Sequence, residues 1–225
     1  MSSTTRSPAP SRRPLAVVAA VVAVVLVALV AALVAGSGDD DTASTGGSGE
    51  SGPATTAVAN DTPATVTGTP LAALTGAGDD PAVGAPMPTL SGTTLDGSPI
   101  TIPATGRPTM IMFVAHWCPH CQAEVPVVQQ WVDGGGLPDT VDLVTVSTAA
   151  DERRPNYPPA EWLAREGWTA PVLVDGDDTA AAASGVSAFP FFVAVDGDGT
   201  VAARTSGELT PDQLSAFAAA LSGGR

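Results

Sequence analysis

Two cysteines are the residues of this sequence best suited to chemistry. Cys118 and Cys121 make up the chain's entire cysteine content, and they stand three positions apart. A disulfide that only braces a fold usually closes a longer loop, because closing a short loop removes little entropy from the unfolded chain. Two cysteines this close instead favour a reactive pair that interconverts between dithiol and disulfide without another cofactor, with a thiolate as the attacking species.

The neighbouring sequence predicts where this pair lies. Residues 110–115 form a continuous apolar run typical of a strand buried on both faces, and residues 119–132 predict a helix with Pro119 at its first position. Free backbone N–H groups and the positive end of the helix dipole stabilise an anion at a helix N-terminus. We therefore expect Cys118 to be the exposed nucleophile. Cys121, one turn further on, should be more buried and should resolve the mixed disulfide.

His120 lies between the two cysteines. When protonated, its imidazole places a positive charge near the Cys118 sulfur and can donate a hydrogen bond to it. Either effect stabilises the thiolate and the reduced state, which makes the pair more oxidising. The alternative is an exposed histidine without a role.

A metal site is a further alternative for this segment. The two histidines of the chain, His116 and His120, both flank the cysteine pair. Four ligands within six residues cannot easily form the tetrahedron that zinc prefers. Copper would fit better than zinc, and we predict that no metal is bound.

Beyond the pair, predicted strands and helices alternate. The strands are predicted at 141–147, 172–174, 191–195 and 201–205, and the helices at 159–166, 178–184 and 211–221, the last with a capping box of Thr210 and Gln213. An earlier hairpin turns at Asp96 and Gly97. This order predicts an α/β domain, residues 84–225, with a mixed central β-sheet flanked by helices.

The N-terminal region predicts a membrane anchor. Residues 15–35 are an unbroken apolar run, long enough to cross a bilayer as a helix. Three arginines precede the run and no Lys or Arg follows it until Arg107, so residues 1–14 should be cytoplasmic and the rest extracytoplasmic. Cleavage as a signal peptide, which would give a secreted protein, is the alternative, although signal cores usually span about 7–15 residues.

A linker is predicted between anchor and domain. Residues 36–83 are rich in Gly, Ser, Thr, Asp, Ala and Pro without apolar periodicity, which is typical of a disordered tether. All 23 acidic residues follow position 38, and the net charge of the chain is −14. Such an acidic surface argues against nucleic acid or an anionic lipid surface as a partner.

The segment 110–126, MIMFVAHWCPHCQAEVP, resembles the active-site segment of the thioredoxin superfamily. Trp117 matches the aromatic residue before the first cysteine, and Pro126 matches the proline that kinks the helix. Phe189 and Pro190 resemble the loop whose cis-proline lies opposite the active site. The resemblance implies a thioredoxin-like fold, substrate binding by this loop, and an aromatic side chain that gates the nucleophile, unless Trp117 only covers a strand edge.

The spacing Cys-x-x-Cys-x-x-Glu-x-Pro, with Glu124, resembles the TlpA/ResA group of anchored extracytoplasmic thioredoxins. These proteins typically reduce disulfides, often in cytochrome c maturation, and the matching glutamate tunes their active-site thiols. A solvated residue in the first helical turn is the plain alternative for Glu124.

Two features depart from this group and from thioredoxin itself. Pro119 and His120 form the inner dipeptide of the DsbA oxidases, yet the span from the motif to Pro190 is too short for the helical insertion of those enzymes. Met112 stands where thioredoxin carries a buried aspartate, so that proton acceptor is missing.

The resemblance therefore implies an extracytoplasmic thiol–disulfide oxidoreductase acting on protein thiols and disulfides. Its direction stays open between oxidation, as in oxidative folding, and reduction, as in cytochrome c maturation. A membrane redox partner would have to reset the cysteine pair, because the sequence has no second redox domain. The alternative is a non-catalytic binding module that holds copper or docks a partner.

Overall fold

The strand before the cysteine pair lies at the centre of a five-stranded sheet. The computed structural model describes residues 60–76, 79–103 and 106–222. In chain order its elements are β1 Thr65–Thr67, β2 Thr89–Thr93, β3 Pro99–Ile102, β4 Thr109–Val114, α1 Pro119–Asp133, β5 Asp142–Thr148, α2 Pro159–Arg165, β6 Val172–Asp175, α3 Thr179–Ala183, β7 Phe191–Val195, β8 Val201–Ser206 and α4 Pro211–Ser222. The predicted elements after position 84 are all present, with ends that differ by one or two residues.

The main sheet is mixed, as predicted. Its strand order is β6-β5-β4-β7-β8, with β4, β5 and β6 parallel and β7 and β8 antiparallel to their neighbours. A second, antiparallel sheet has the order β1-β2-β3. Together with the flanking helices, this is the thioredoxin-like α/β fold.

Strand β4 supplies side chains to two separate cores. Because successive side chains of a strand point to opposite faces, Met110 and Met112 pack on the side of α1 and α4, whereas Ile111 and Phe113 pack on the side of the small sheet and α3. All four are fully buried. Each contributes about 1.5–3 kcal/mol by burial, which fixes the strand that leads into the cysteine pair.

The prediction that residues 36–83 form a disordered linker is wrong for the part of this segment that the structure describes. Strand β1 pairs with β2, and the side chains of Ala64, Leu71 and Ala82 are buried. The Leu71 N–H also donates to the Ala183 carbonyl at 2.8 Å. The ordered domain therefore begins before residue 84. Isolated apolar residues and backbone hydrogen bonds to distant elements hold the residues before position 84 in place, and neither leaves a periodic pattern in the sequence.

The predicted anchor and cytoplasmic terminus, with linker residues 36–59, lie outside the described residues. Among the residues that the structure describes, no helix combines the length and apolar character needed to cross a membrane.

A buried ion pair joins the N-terminal stretch to the main sheet. The Arg204 side chain is fully buried, and its guanidinium donates to both carboxylate oxygens of Asp80, at 2.8 and 2.5 Å. It also donates to the carbonyls of Ala72 and Ser184, at 2.9 and 3.0 Å. One side chain from β8 thus satisfies acceptors from three parts of the chain.

The last helix begins at the predicted capping box. The Thr210 N–H donates to Gln213 Oε1 at 2.8 Å, and the Gln213 N–H donates to Thr210 Oγ1 at 3.3 Å. The cysteine-bearing helix α1 contains Pro126 and runs without interruption to Asp133. Both helices pack on the same face of the sheet, so α4 brings the segment before it, residues 207–210, against α1.

Candidate active site

Cys118 caps the N-terminus of α1. Its backbone is extended, with φ −75° and ψ 120°, and its carbonyl accepts the Gln122 N–H at 3.0 Å to close the first turn. Pro119 occupies the first turn, where its missing N–H costs no hydrogen bond. Both cysteines are free thiols in this structure. The Cys118 sulfur therefore lies at the helix end where backbone N–H groups and the dipole favour an anion.

The two cysteines differ in burial in the expected order. Cys118 is 7% exposed and Cys121 is 0% exposed. The expectation of an openly exposed Cys118 is wrong in degree, because Trp117 and Phe189 pack against the cluster that contains it.

Burial raises the pKa of the Cys121 thiol, and the nearby Cys118 and Glu124 raise it further, while a backbone hydrogen bond with Ala115 opposes the shift. Desolvation disfavours the charged form of an acid, and nearby negative charge acts in the same direction. Cys121 therefore holds its proton in the dithiol state.

Glu124 is buried beside this thiol, so the alternative of a solvated first-turn residue is wrong. Its side chain is 1% exposed, and the Leu209 N–H lies 3.1 Å from each of its carboxylate oxygens. Burial raises the pKa of Glu124 to about 7, against the lowering effect of the Leu209 hydrogen bond and with a further rise from Glu208. At three positions from Cys121, it lies on the same side of the helix.

The raised pKa of Glu124 predicts a fall in stability with rising pH. The folded state holds the proton up to about pH 7, whereas the unfolded carboxyl loses it near 4.5. The contribution of Glu124 to the free energy of unfolding is therefore fully present below about pH 4.5. It falls by about 3 kcal/mol as the pH rises to 7. Urea unfolding from pH 4.5 to 8 should show the wild type losing this amount of stability relative to Glu124→Gln as the pH rises.

The exposed Glu161 of α2 provides the matched control for this experiment. Glu161→Gln should keep the wild-type dependence on pH. An equal pH slope in wild type and Glu124→Gln would contradict the assignment of a buried, protonated carboxyl at position 124.

His120 pairs with a residue that the sequence did not reveal. Its Nδ1 lies 2.6 Å from Glu208 Oε1, and the side chains are 70% and 48% exposed. Glu208 follows β8, eighty-eight positions away, and no local pattern connects it with His120. The carboxylate holds the imidazole at the rim of the site and partly offsets the positive charge of its protonated form.

His116 is locked by backbone groups on both ring nitrogens. Its Nδ1 lies 2.7 Å from the Pro155 carbonyl oxygen, and the Asp151 N–H donates to Nε2 at 3.1 Å. The ring is therefore neutral, with the proton on Nδ1, and neither nitrogen is free to bind a metal. Across residues 60–76, 79–103 and 106–222, no group of three or more His, Cys, Asp or Glu side chains is arranged to hold a metal ion.

The His116 contacts predict a loss of stability in acid. Burial lowers the pKa of His116 in the folded protein. The stability gained from the neutral ring is therefore present above the unfolded pKa, about 6.5, and is lost as the pH falls through the folded value. At pH 7.5, His116→Asn should cost about 2 kcal/mol for two lost hydrogen bonds, and the difference from wild type should shrink below pH 6.

The solvent-exposed His120 is the control for this titration. Chemical unfolding of His120→Asn should give a smaller cost at pH 7.5. A His116→Asn difference that stays constant down to pH 5 would exclude the neutral, doubly bonded ring.

Trp117 connects the nucleophile to a neighbouring loop. Its indole N–H donates to the Ala149 carbonyl at 2.7 Å, and its ring meets Phe189 edge to face at 6.4 Å. The Arg154 guanidinium lies 4.4 Å from the centre of its ring. Sequence reasoning identified Trp117 but missed Arg154, which no motif marks.

The loop opposite Cys118 exposes its backbone to the thiol. The Phe189–Pro190 peptide bond is cis, as the resemblance implied, and the Cys118 thiol donates to the Phe189 carbonyl at 3.8 Å. Pro190 is buried, and its carbonyl accepts the Gly207 N–H at 2.9 Å. Within the described part of the chain, the N–H groups of Ala188 and Phe189 have no hydrogen-bond partner. An extended peptide could therefore pair with this backbone next to the sulfur.

Comparison with known proteins identifies a family and relatives of this chain. The Redoxin family profile matches residues 82–221. The sporulation thiol-disulfide oxidoreductase A of Bacillus subtilis (strain 168) is 26% identical over 121 residues, which cover 54% of this chain and 72% of that protein. The methylamine utilization protein MauD of Methylobacillus flagellatus is 29% identical over 134 residues, which cover 55% of this chain but only 57% of that protein.

Several solved structures are also similar to this chain. StoA from B. subtilis is 27% identical, with a TM-score of 0.50, over 61% of this chain and 98% of that one. A secreted disulfide oxidoreductase of Mycobacterium tuberculosis, described as homologous to E. coli DsbE, is 28% identical, with a TM-score of 0.50, over 58% and 95%. The M. tuberculosis dsbF structure, in mixed oxidized and reduced forms, is 30% identical, with a TM-score of 0.51, over 58% and 93%.

Proposed function

We propose that this chain, which belongs to the Redoxin family, is an extracytoplasmic enzyme that exchanges thiols and disulfides with protein substrates through Cys118 and Cys121. Two of its relatives are named as a thiol-disulfide oxidoreductase and a disulfide oxidoreductase, and these names support an oxidoreductase role for this chain. The observation that carries the proposal is the Cys118 thiol at the start of α1, 3.8 Å from the Phe189 carbonyl, with Cys121 buried one turn inside.

In the reducing direction, the Cys118 thiolate attacks a substrate disulfide. A mixed disulfide forms and the first substrate sulfur leaves as a thiolate. Cys121 then attacks the Cys118 sulfur, which closes the enzyme disulfide and releases the second substrate thiolate. Two electrons pass from the enzyme dithiol to the substrate. The oxidising direction is the reverse sequence, in which a substrate thiolate attacks the enzyme disulfide.

The second step requires Cys121 to lose its proton. The raised pKa of this thiol leaves few thiolates at neutral pH, so a nearby base is needed. Glu124 is the buried carboxylate on the same side of the helix, and its pKa of about 7 suits a group that accepts and returns a proton near neutral pH. We assign it this role in place of the aspartate that Met112 replaces.

Substrate contact is proposed at two places beside Cys118. The unpaired backbone N–H groups of Ala188 and Phe189 would hydrogen-bond an extended substrate chain, in the manner of an added strand. The Trp117 ring, fixed by its hydrogen bond to Ala149 and in edge-to-face contact with Phe189, would provide the second contact. Because the ring is held in place, we favour a role in guiding the substrate over a role in which Trp117 only covers the strand edge.

The direction of exchange is proposed to have an oxidising bias. The inner dipeptide of Pro119 and His120 supports this bias, because a protonated His120 near the thiolate stabilises the reduced pair. The short elements between β5 and β7, namely α2, β6 and α3, leave no room for the helical insertion of the DsbA oxidases. Oxidative folding is the process that fits this bias, and cytochrome c maturation is the process that fits the reducing alternative.

Membrane attachment through residues 15–35, with a membrane partner that resets the pair, completes the proposal. Washing membranes from expressing cells with alkaline carbonate tests the attachment. The full-length chain should stay in the membrane pellet, whereas release of a shortened chain would support the secreted alternative.

Catalytic turnover tests the proposed function directly. The full chain in detergent should accelerate the reduction of insulin by dithiothreitol and the reoxidation of a reduced disulfide protein. A copper-binding module without turnover would accelerate neither reaction, and stoichiometric copper uptake would then identify the non-catalytic alternative.

A further inference from the structure

Arg154 packs against the aromatic side chain that directly precedes the reactive pair. It lies on the loop between β5 and α2, and its guanidinium lies 4.4 Å from the centre of the Trp117 ring. Trp117 directly precedes Cys118 and contacts Phe189 on the other side. Arg154 therefore lies against the ring of the residue next to the nucleophilic cysteine, on which a bound substrate would also pack.

The guanidinium of Arg154 has hydrogen-bonding capacity to spare. The other described arginines are engaged: Arg107 with Asp142, Arg153 with Asp151, Arg204 with Asp80, and Arg165 with Asn156. Arg154 is exposed, and within the described residues its side chain makes no hydrogen bond or ion pair. A guanidinium has five N–H donors in a planar fork that matches a carboxylate.

The loop that carries Arg154 is fixed in place rather than free to move away. The Arg154 N–H donates to the Asp151 carbonyl at 3.0 Å, and the adjacent Pro155 carbonyl is hydrogen-bonded by His116 at 2.7 Å. Trp117 closes the other end of the loop through Ala149. Stacking on Trp117 also restricts the arginine side chain, so less entropy is lost when it binds an anion.

The acidic surface of the protein does not cancel this local charge. Over distances beyond about 8 Å, physiological salt screens exposed charges. Asp151 of the same loop attracts Arg154 electrostatically, but both of its carboxylate oxygens already accept hydrogen bonds from Arg153. A substrate carboxylate that approaches Trp117 therefore meets a guanidinium whose side-chain N–H groups make no hydrogen bond within the described residues.

Building on the proposed function, we propose that Arg154 is a specificity residue that binds a carboxylate side chain near the reacting cysteine of the substrate. Phe189 lies 6.4 Å from Trp117, which lies 4.4 Å from the guanidinium. An extended chain rises about 3.3 Å per residue. The preferred Asp or Glu therefore falls within about three residues of the substrate cysteine.

Short peptides with one cysteine, activated as its thiopyridyl disulfide, test this proposal. Three peptides carry Glu, Gln or Lys two positions from the cysteine, and the release of thiopyridone by the reduced full chain in detergent gives the rate constant. At physiological salt, where the distant acidic surface is screened, the wild type should favour the Glu peptide over the Gln peptide by about fivefold, with the Lys peptide slowest. Added salt should reduce the preference.

Variants at adjacent arginines separate this effect from the general charge of the loop. Arg154→Gln should abolish the ratio of Glu to Gln rates, whereas Arg153→Gln should keep it. Equal rates for the three peptides, or a ratio that survives Arg154→Gln, would overturn the role of Arg154 and leave the exchange reaction standing. No reaction with any peptide would overturn the proposed function together with this inference.

Discussion

Cys118→Ser should lower the rate of disulfide exchange by about a thousandfold or more. A serine hydroxyl is scarcely ionised near neutral pH, so the variant lacks the attacking thiolate that the helix N-terminus stabilises. The Cys118 backbone caps α1 through its carbonyl, and that contact does not involve the sulfur. The variant should therefore fold normally and fail in both insulin reduction and reoxidation of a reduced protein.

Cys121→Ser is the matched variant, because it changes the buried partner of the same pair. It should still attack substrates but should accumulate a covalent mixed disulfide, since no second sulfur is present to resolve it. Nonreducing gels and mass spectrometry would detect the adduct. The opposite result would reverse the assigned roles: adducts on Cys121 in the Cys118→Ser variant, with no adducts on Cys118 in the Cys121→Ser variant.

Arg204→Met should reduce the free energy of unfolding by about 3–5 kcal/mol. The substitution leaves the Asp80 carboxylate nearly buried without its partner, together with two unpaired carbonyls. Pairing with Arg204 lowers the pKa of Asp80, so the wild-type stability from this contact is present above the unfolded pKa and is lost in acid. Urea unfolding of the compact unit Pro53–Arg225 at pH 7 measures the loss.

The surface pair of Arg107 and Asp142 provides a control of the same chemistry. Its side chains are 50% and 35% exposed, so Arg107→Met should cost no more than about 1 kcal/mol. If Arg204→Met and Arg107→Met reduced the free energy of unfolding by similar amounts, the buried pair would not be what holds the residues around Asp80 against the main sheet.

The sequence predicted the elements that place the cysteines. The apolar run at 110–115 became β4, and Pro119 marked the start of α1. The capping box of Thr210 and Gln213 fixed the start of α4. Each of these signals is local, since it depends on residues within a few positions of one another, and local signals can be read without knowing the fold.

The contacts that surround the cysteines could not be predicted in this way. Glu124 is buried because residues 207–210 fold over α1, and its hydrogen-bond partner is eighty-five positions away. Arg204 meets Asp80 across 124 positions, which is why the stretch containing Asp80 was interpreted as a linker. His116 was weighed as a metal ligand because the loop that occupies its nitrogens lies thirty-five or more positions further on.

Redox titration of the Cys118–Cys121 pair tests the central claim most directly. The folded domain is equilibrated in glutathione buffers of known potential. The change in tryptophan fluorescence, to which Trp117 beside Cys118 contributes, reports the state of the pair. The account predicts one reversible two-electron transition that is absent in Cys121→Ser, with a midpoint near −120 to −180 mV for the oxidising bias, against about −270 mV for a reductant. The absence of any reversible transition would contradict the claim that this pair carries out thiol–disulfide exchange.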